Sequence, residues 1–451
     1  MRNSLLLDLI EGRPLSLKNR ILLITQLSLP SICAQISTTA MQYIDTAMVG
    51  HLGANESASI GLVSSTIWLL TGLSSSFNAG FTVQMAQSIG ANEKSKTRNI
   101  MKQGFIACLI LSFVLCFFGI VLSPYIPIWL KGDAEIVSQA TNYLRVYSFF
   151  IPFHCLNAMA SVSLQASGNM KIPSVFNVLM CVLDVVLNYF FIFPIGLNLG
   201  VTGAALATGT SIVFSMICQM YYIFKKSELL KGKEPIHLEP MILKNTLKIG
   251  VPVTVESTIT SMSYILFTRI VAPLGTVAVA AHSFAVTAES LCYMPGYGIG
   301  QAATTIIGQS IGAKRRKTTK SLSYLITSLA AIVMACSGIF MFYFAPEMIG
   351  FMTKDIEIQT LAINVLRIEA FAEPLYGISI VCAGVFRGAG DTFISSILNF
   401  ISMWCVRLPL AYFLSLHFGL YGIWMAMCLE LCFRGIIFLI RLMQGKWIHE
   451  F

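Results

Sequence analysis

The sequence predicts an all-α polytopic membrane protein: twelve transmembrane helices arranged as two parallel-repeat lobes of six. Three observations carry this. Of 451 residues, 56% are hydrophobic and only 11% are charged, whereas soluble domains carry about 25% charge. Apolar runs of about 20 residues recur along the chain, each long enough to cross a hydrocarbon core about 30 Å thick as a helix. Finally, the chain repeats itself at a spacing of 222 residues without a gap. That shift sets Pro30 on Pro252, Thr46 on Thr268, Val49 on Val271 and Leu52-Gly53 on Leu274-Gly275. It sets QSIGA at Gln87–Ala91 on QSIGA at Gln309–Ala313, and pairs Arg145 with Arg367, Gly168 with Gly390 and Asn177 with Asn399. One register held over so many positions marks an internal duplication.

The elements follow in order. Residues 1–20 read as a short amphipathic lead-in on the cytoplasmic face. The predicted spans are 21–49, 56–82, 103–124, 140–165, 173–194 and 200–224 in the first lobe (21–224). In the second lobe (248–443) they are 248–272, 278–306, 322–345, 359–386, 393–416 and 420–441. The first span continues past Asp45 without a small-residue cleavage site, so no removable leader is expected. Gly168 and Pro173 break the chain between spans 4 and 5, and spans 5 and 6 meet at Pro194–Gly200. Residues 225–247, rich in lysine with two prolines, form a cytoplasmic linker, and 444–451 a cytoplasmic tail. Two sequential halves of like orientation fit parallel repeats, an arrangement in which a transport site lies between lobes.

A net charge of +9 invites a nucleic-acid partner, and its placement excludes one. With these spans, 23 Lys and Arg fall on one side and only Lys131 and Lys354 on the other, the remaining five lying in or at the ends of spans. That is the positive-inside rule with both termini cytoplasmic, in a cell (plasma or inner) membrane. The twelve cysteines are scattered through apolar helices with no CxxC and no zinc spacing, so they read as free thiols used as small hydrophobes. No metal centre, cofactor loop or catalytic constellation is legible. GYGIG at Gly296–Gly300 lies inside an apolar span with no strand before it, and neither DDxxD nor HExxH occurs.

Acids at membrane depth cost several kcal/mol unless paired, hydrated or protonated, so each is a functional candidate. Asp45 falls in the outer half of span 1, and Asp184 near the middle of span 5 with Asn188 one turn on, sharing its face. The second half holds Glu256 in span 7, Glu289 in span 8, Glu369 and Glu373 in span 10 and Glu430 in span 12. Glu369 and Glu373 are expected to share a helix face in span 10, where Pro374 frees a backbone carbonyl. Arg269, Arg367 and Arg407 offer these acids bland partners as buried ion pairs. The acids do not coincide under the repeat: Asp45 falls on Phe267, Asp184 on Val406 and Glu256 on Ala34. They were placed separately in each half. The Met and aromatic stripes of spans 3, 9 and 12 read as lipid-facing or packing residues, or, for a few Met and Phe, as the lining of an apolar drug cavity; the sequence does not separate these.

A series of motifs resembles a known family. YIDTAMVGHLG closes the first span, followed by QSIGAN, LDVVLNYFFIF and GVTGAALAT; the second half adds VAAHSFA, MPGYGIGQAATTIIGQSIGAKRRK and FRGAGDT. Together, over nearly the whole chain, they resemble the multidrug and toxic compound extrusion (MATE) transporters. The resemblance implies export of organic cations or other drug-like compounds by H+ or Na+ antiport, from a cleft between lobes, by a monomer. It carries the coupling role onto Asp45 and, with the residue order reversed, onto Asp184 and Asn188. Asn157 in span 4 is a candidate to extend this cluster, Glu256 and Glu373 lie about a turn from the family's second-lobe acids, and Glu289 is a further candidate. Na+ could sit at Asp45 and Asp184; a proton is favoured, because two carboxylates need only one proton to relieve their repulsion. The alternative function is a lipid-linked precursor flippase of related fold, for which a more basic cleft is expected. A major-facilitator sugar transporter would need a GxxxDRxGR-like loop after span 2, where QSIGANEKSK stands instead.

The charge asymmetry gives a test. In a cysteine-free background, Lys231→Cys should resist a membrane-impermeant thiol reagent in intact cells and react after permeabilisation. Labelling from outside would overturn the topology.

Overall fold

The computed structural model describes residues 4–130, 132–193, 196–227 and 237–448. Lys131, Pro194 and residues 228–236 of the 225–247 linker, Lys231 among them, lie outside the described residues. Among those described the chain is helical, with no strand. The helices are α1 (Ser4–Glu11), α2 (Leu17–Gly50), α3 (Ala54–Gly90), α4 (Lys94–Leu122), the short α5 (Ile126–Trp129), α6 (Ala134–Ala166), α7 (Lys171–Ile192) and α8 (Gly200–Lys226). Then come α9 (Pro240–Val271), α10 (Thr276–Gly312), α11 (Arg316–Met352), α12 (Ile356–Glu369), α13 (Glu373–Ala389), α14 (Thr392–Phe400), a π-helical stretch (Ile401–Arg407) and α15 (Leu408–Gln444).

These supply the twelve spans, with two departures from straight rods. Span 10 is broken: α12 and α13 meet at 59° across residues 370–372. Pro374 explains the break, because it has no N–H to give and its ring crowds the carbonyl four residues back. Glu369 and Glu373 therefore end one helix and begin the next, rather than sharing a face of one helix as the spacing implied. Span 11 runs through α14, the π-helical stretch and the start of α15, and the chain breaks at Gly419 (φ 54°) before span 12.

The chain forms two compact units, one of Ile36–Val251 and one of Ser4–Gln35 with Pro252–Phe451. α2 and α9, the first long helix of each repeat, are thus both divided between units. In the first unit, α6 packs on α3, α4 and α8, and α7 packs on α8. Phe81, Met85, Ile100, Met101, Cys155 and Met159 fill its main core. In the second unit α10, α11, α13 and α15 surround Phe267, Met341, Val365, Tyr376, Trp424 and Leu431. The lead-in forms α1, whose Leu6 and Leu9 are buried in this unit. Outward apolar side chains such as Phe113 and Phe117 on α4, Phe340 and Tyr343 on α11 and Leu429 on α15 are exposed, as bilayer contact requires. All twelve cysteines are free.

The repeat is visible as geometry. Ser88 and Thr97 share a hydroxyl hydrogen bond of 2.8 Å across the α3–α4 turn, and Ser310 and Thr319 share one of 2.6 Å across the α10–α11 turn. Asn92 and Lys314 take the same positive φ, 59° and 56°, in those turns. Gly168 and Gly390 sit at φ 82° and 83°, where only glycine avoids a Cβ clash with the backbone.

Small residues set the closest helix approach, as in other membrane bundles. A Cβ on Gly384 of α13 would stand 2.3 Å from the Gly300 carbonyl oxygen of α10, and Thr304 Oγ1 donates to the Gly384 carbonyl at 2.9 Å. Gly384→Leu should therefore destabilise the protein by about 1–3 kcal/mol, read as a lowered Tm in detergent. Gly350→Leu, with no atom within 4 Å of its Cβ position, should leave Tm unchanged.

Candidate functional site

In the first unit α2 and α7 run side by side and bring three predicted residues together. Asn188 lies one turn beyond Asp184 on α7, so both face α2, and each is fully buried. Asp45 reaches them from α2 and is half-buried. The Asn188 amide donates to both acids, to Asp45 Oδ1 at 2.7 Å and to Asp184 Oδ2 at 3.1 Å. Among the described residues no lysine or arginine pairs with either acid, and Asp184 Oδ1 and Asn188 Oδ1 find no hydrogen-bond partner. Thr208 of α8 stands beside Asp184, and Tyr143 of α6 lies near both acids. The arrangement is two carboxyls joined by one amide, with oxygens left over. Burying such a group is costly when both acids are charged and no cation is present.

That chemistry suits a counter-ion. A proton fits because it removes one of two facing charges. Na+ fits because Asp45, Asp184 Oδ1, Asn188 Oδ1 and the Thr208 hydroxyl form a set of hard oxygens.

Asn157 does not bond to this group. It accepts from Gln219 Nε2 at 2.9 Å, and Gln219 Oε1 accepts from Ser161 at 2.8 Å, a separate amide network between α6 and α8.

The second unit sorts its acids differently. Glu256 on α9 is half-buried and accepts from Ser396 Oγ at 2.8 Å and from the Asn399 amide, both on α14. Glu289, Glu369 and Glu373 are buried near one another. Among the described residues the carboxyl oxygens of Glu369 and Glu373 have no hydrogen-bond partner. Glu430 is fully paired: Arg407 and Arg434 reach it at 2.8 and 2.6 Å, and Ser402 also donates to it. Of the arginines expected to neutralise acids, Arg407 alone does so among the described residues. Arg367 donates to the Phe342 carbonyl oxygen at 3.2 Å and lies 5.4 Å from that ring's centre.

Tyr143, Thr208, Ser396 and Arg434 carried no sequence signal for these sites. They are ordinary residues of apolar helices, and only packing selects them. Asn177 and Asn399 did leave a signal, as one of the pairs matched by the repeat.

Comparison with known proteins follows the same pattern. The MatE family model matches residues 30–190 and 252–413, so its two copies start in the 222-residue register of the repeat. A protein of Thermotoga maritima named probable multidrug resistance protein NorM is 28% identical over 436 residues, covering 94% of this chain and 92% of its own. A solved structure of a MATE in complex with MaD3S superposes with TM-score 0.90 at 22% identity, covering 99% of this chain and 100% of that one. An outward-facing multidrug resistance MATE family transporter of the MOP superfamily superposes with TM-score 0.89 at 22% identity, covering 94% and 96%. The structures share the fold, and the family match runs through both halves. The chain belongs to the MatE family.

Proposed function

We propose that this protein exports drug-like organic compounds from the cell, driven by inward flow of a cation, with alternating access of a site served by its two six-span lobes. It is a transporter rather than an enzyme, resident in the cell membrane with both termini cytoplasmic. The observation that carries the coupling role is the Asn188 amide bridging Asp45 and Asp184, with no basic partner among the described residues. A group that couples must be able to hold its acids in two charge states, and an acid neutralised by arginine, as Glu430 is, cannot. The names of the relatives, multidrug resistance proteins, support drugs as cargo rather than lipid-linked precursors.

The roles divide as follows. Asp45 and Asp184 share the incoming cation, and Asn188 holds the two carboxyls together in either state. With the cation bound, two facing charges fall to one and the buried pair becomes tolerable. When the cation leaves, the repulsion returns and biases α2 against α7, which is the differential stability that a coupled transporter needs. The proton is the favoured ion, because one proton satisfies the pair without further ligands. Glu256, Glu289 and Glu373 are the second-lobe candidates for cargo or cation contact.

Two outcomes are expected. Asp45→Asn in proteoliposomes should lower gradient-driven ethidium transport at least about tenfold while expression and Tm stay near wild type, since the amide keeps the shape and loses the charge. Transport at the wild-type rate would remove the assignment. Wild-type transport should follow an imposed pH gradient and persist without sodium; dependence on sodium alone would make Na+ the coupling ion.

A further inference from the structure

The repeat pairs Asn177 with Asn399, and no part of the proposed coupling group uses either one. Both make the same kind of contact. In the first unit Asn177 on α7 donates to Thr38 Oγ1 on α2 at 2.8 Å. In the second unit Asn399 on α14 donates to Glu256 on α9. In each half, the asparagine of the fifth span therefore ties down a side chain of the first span.

The register of the first clamp matches that of the acids. Thr38 and Asn177 are 139 residues apart in sequence, and so are Asp45 and Asp184. Each acid lies seven residues beyond its clamp residue, a step of about 10.5 Å and close to two turns. Seven residues fall within about 20° of the same helix face. The Thr38–Asn177 bond thus fixes two things at the acid level: how far α2 slides along α7, and which face it turns towards it. A slip of one residue would turn α2 by about 100° and carry Asp45 off the Asn188 amide. The second unit uses the same spacing in a shorter form. Glu256 precedes Asn399 by 143 residues, as Asp45 precedes Asn188, so there the repeated asparagine meets an acid directly.

We propose that the Thr38–Asn177 bond is a positioning clamp, which sets the register of α2 on α7 so that Asp45 presents its carboxyl to Asp184 and Asn188. The inference rests on the coupling role proposed for those three residues. Neither clamp residue touches the cation. Losing the clamp makes Asp45 spend less time in place, so the cation is held more weakly while the cargo site is left alone.

The test is ethidium transport by purified protein in proteoliposomes, measured against the concentration of the driving cation, with ethidium affinity measured separately at saturating cation. Thr38→Val keeps the size and loses the acceptor, Asn177→Leu loses the donor, and Thr38→Ser keeps the hydroxyl. Thr38→Val and Asn177→Leu should each raise the half-saturating cation concentration about tenfold, the effect of one lost buried hydrogen bond. Ethidium affinity should be unchanged, Thr38→Ser should match wild type, and the double variant should be no worse than Asn177→Leu alone. Wild-type cation dependence in Thr38→Val, or a fall in maximal rate with no shift in that dependence, would overturn the clamp. Asp45→Asn run alongside separates the two ideas: coupling retained there removes the proposed site, whereas coupling lost there with no shift in Thr38→Val removes only the clamp.

Discussion

Everything in this protein is arranged around the cost of a carboxyl in hydrocarbon. Water is absent at that depth, so an acid must find a donor, a cation or a proton within the fold. The two halves answer differently. Glu430 receives Arg407, Arg434 and Ser402 and is held in a buried ion pair. Asp45 and Asp184 receive one neutral amide between them. The first solution is static because breaking a buried ion pair costs several kcal/mol. The second leaves two carboxyls without a cationic partner among the described residues, and that is the feature on which the proposed coupling role rests.

The same constraint shapes the helices. Backbone groups must also be satisfied internally, so irregular backbone appears only where the interior can absorb it. The break before Pro374 places Glu369 and Glu373 at facing helix ends, and the π-helical stretch Ile401–Arg407 ends on the arginine that meets Glu430. Where helices instead need to touch, glycine and threonine bring backbones together, as at Gly384 and Thr304.

Duplication gave both halves one frame, and the acids then diverged on it. The turns at Ser88–Thr97 and Ser310–Thr319 and the left-handed Gly168 and Gly390 remain superimposable in kind. Asn177 and Asn399 keep their partner helix while changing their partner residue from a threonine to a glutamate. A shared scaffold thus carries unshared acids: an asparagine-bridged pair of aspartates in one half, and glutamates set on other positions in the other.

The sequence by itself determined the membrane class, the span count and the duplication, and it singled out Asp45, Asp184 and Asn188, which the structure brings into hydrogen-bond contact. Each of these rests on a local or periodic signal: hydropathy over about 20 residues, a fixed repeat register, or a charge where hydrocarbon forbids one. In span 10 the sequence marked a carbonyl freed by Pro374, but hydropathy does not register a missing N–H, and the 59° bend that parts Glu369 from Glu373 came only from the structure. Partners across helices were beyond reach for another reason. Which of Arg269, Arg367, Arg407 and Arg434 meets Glu430 depends on helix rotation and depth, and a shift of one residue turns a side chain by about 100°. Only the tertiary structure fixes that angle, and with it the choice of a paired Glu430 and an unpaired Asp45–Asp184 couple.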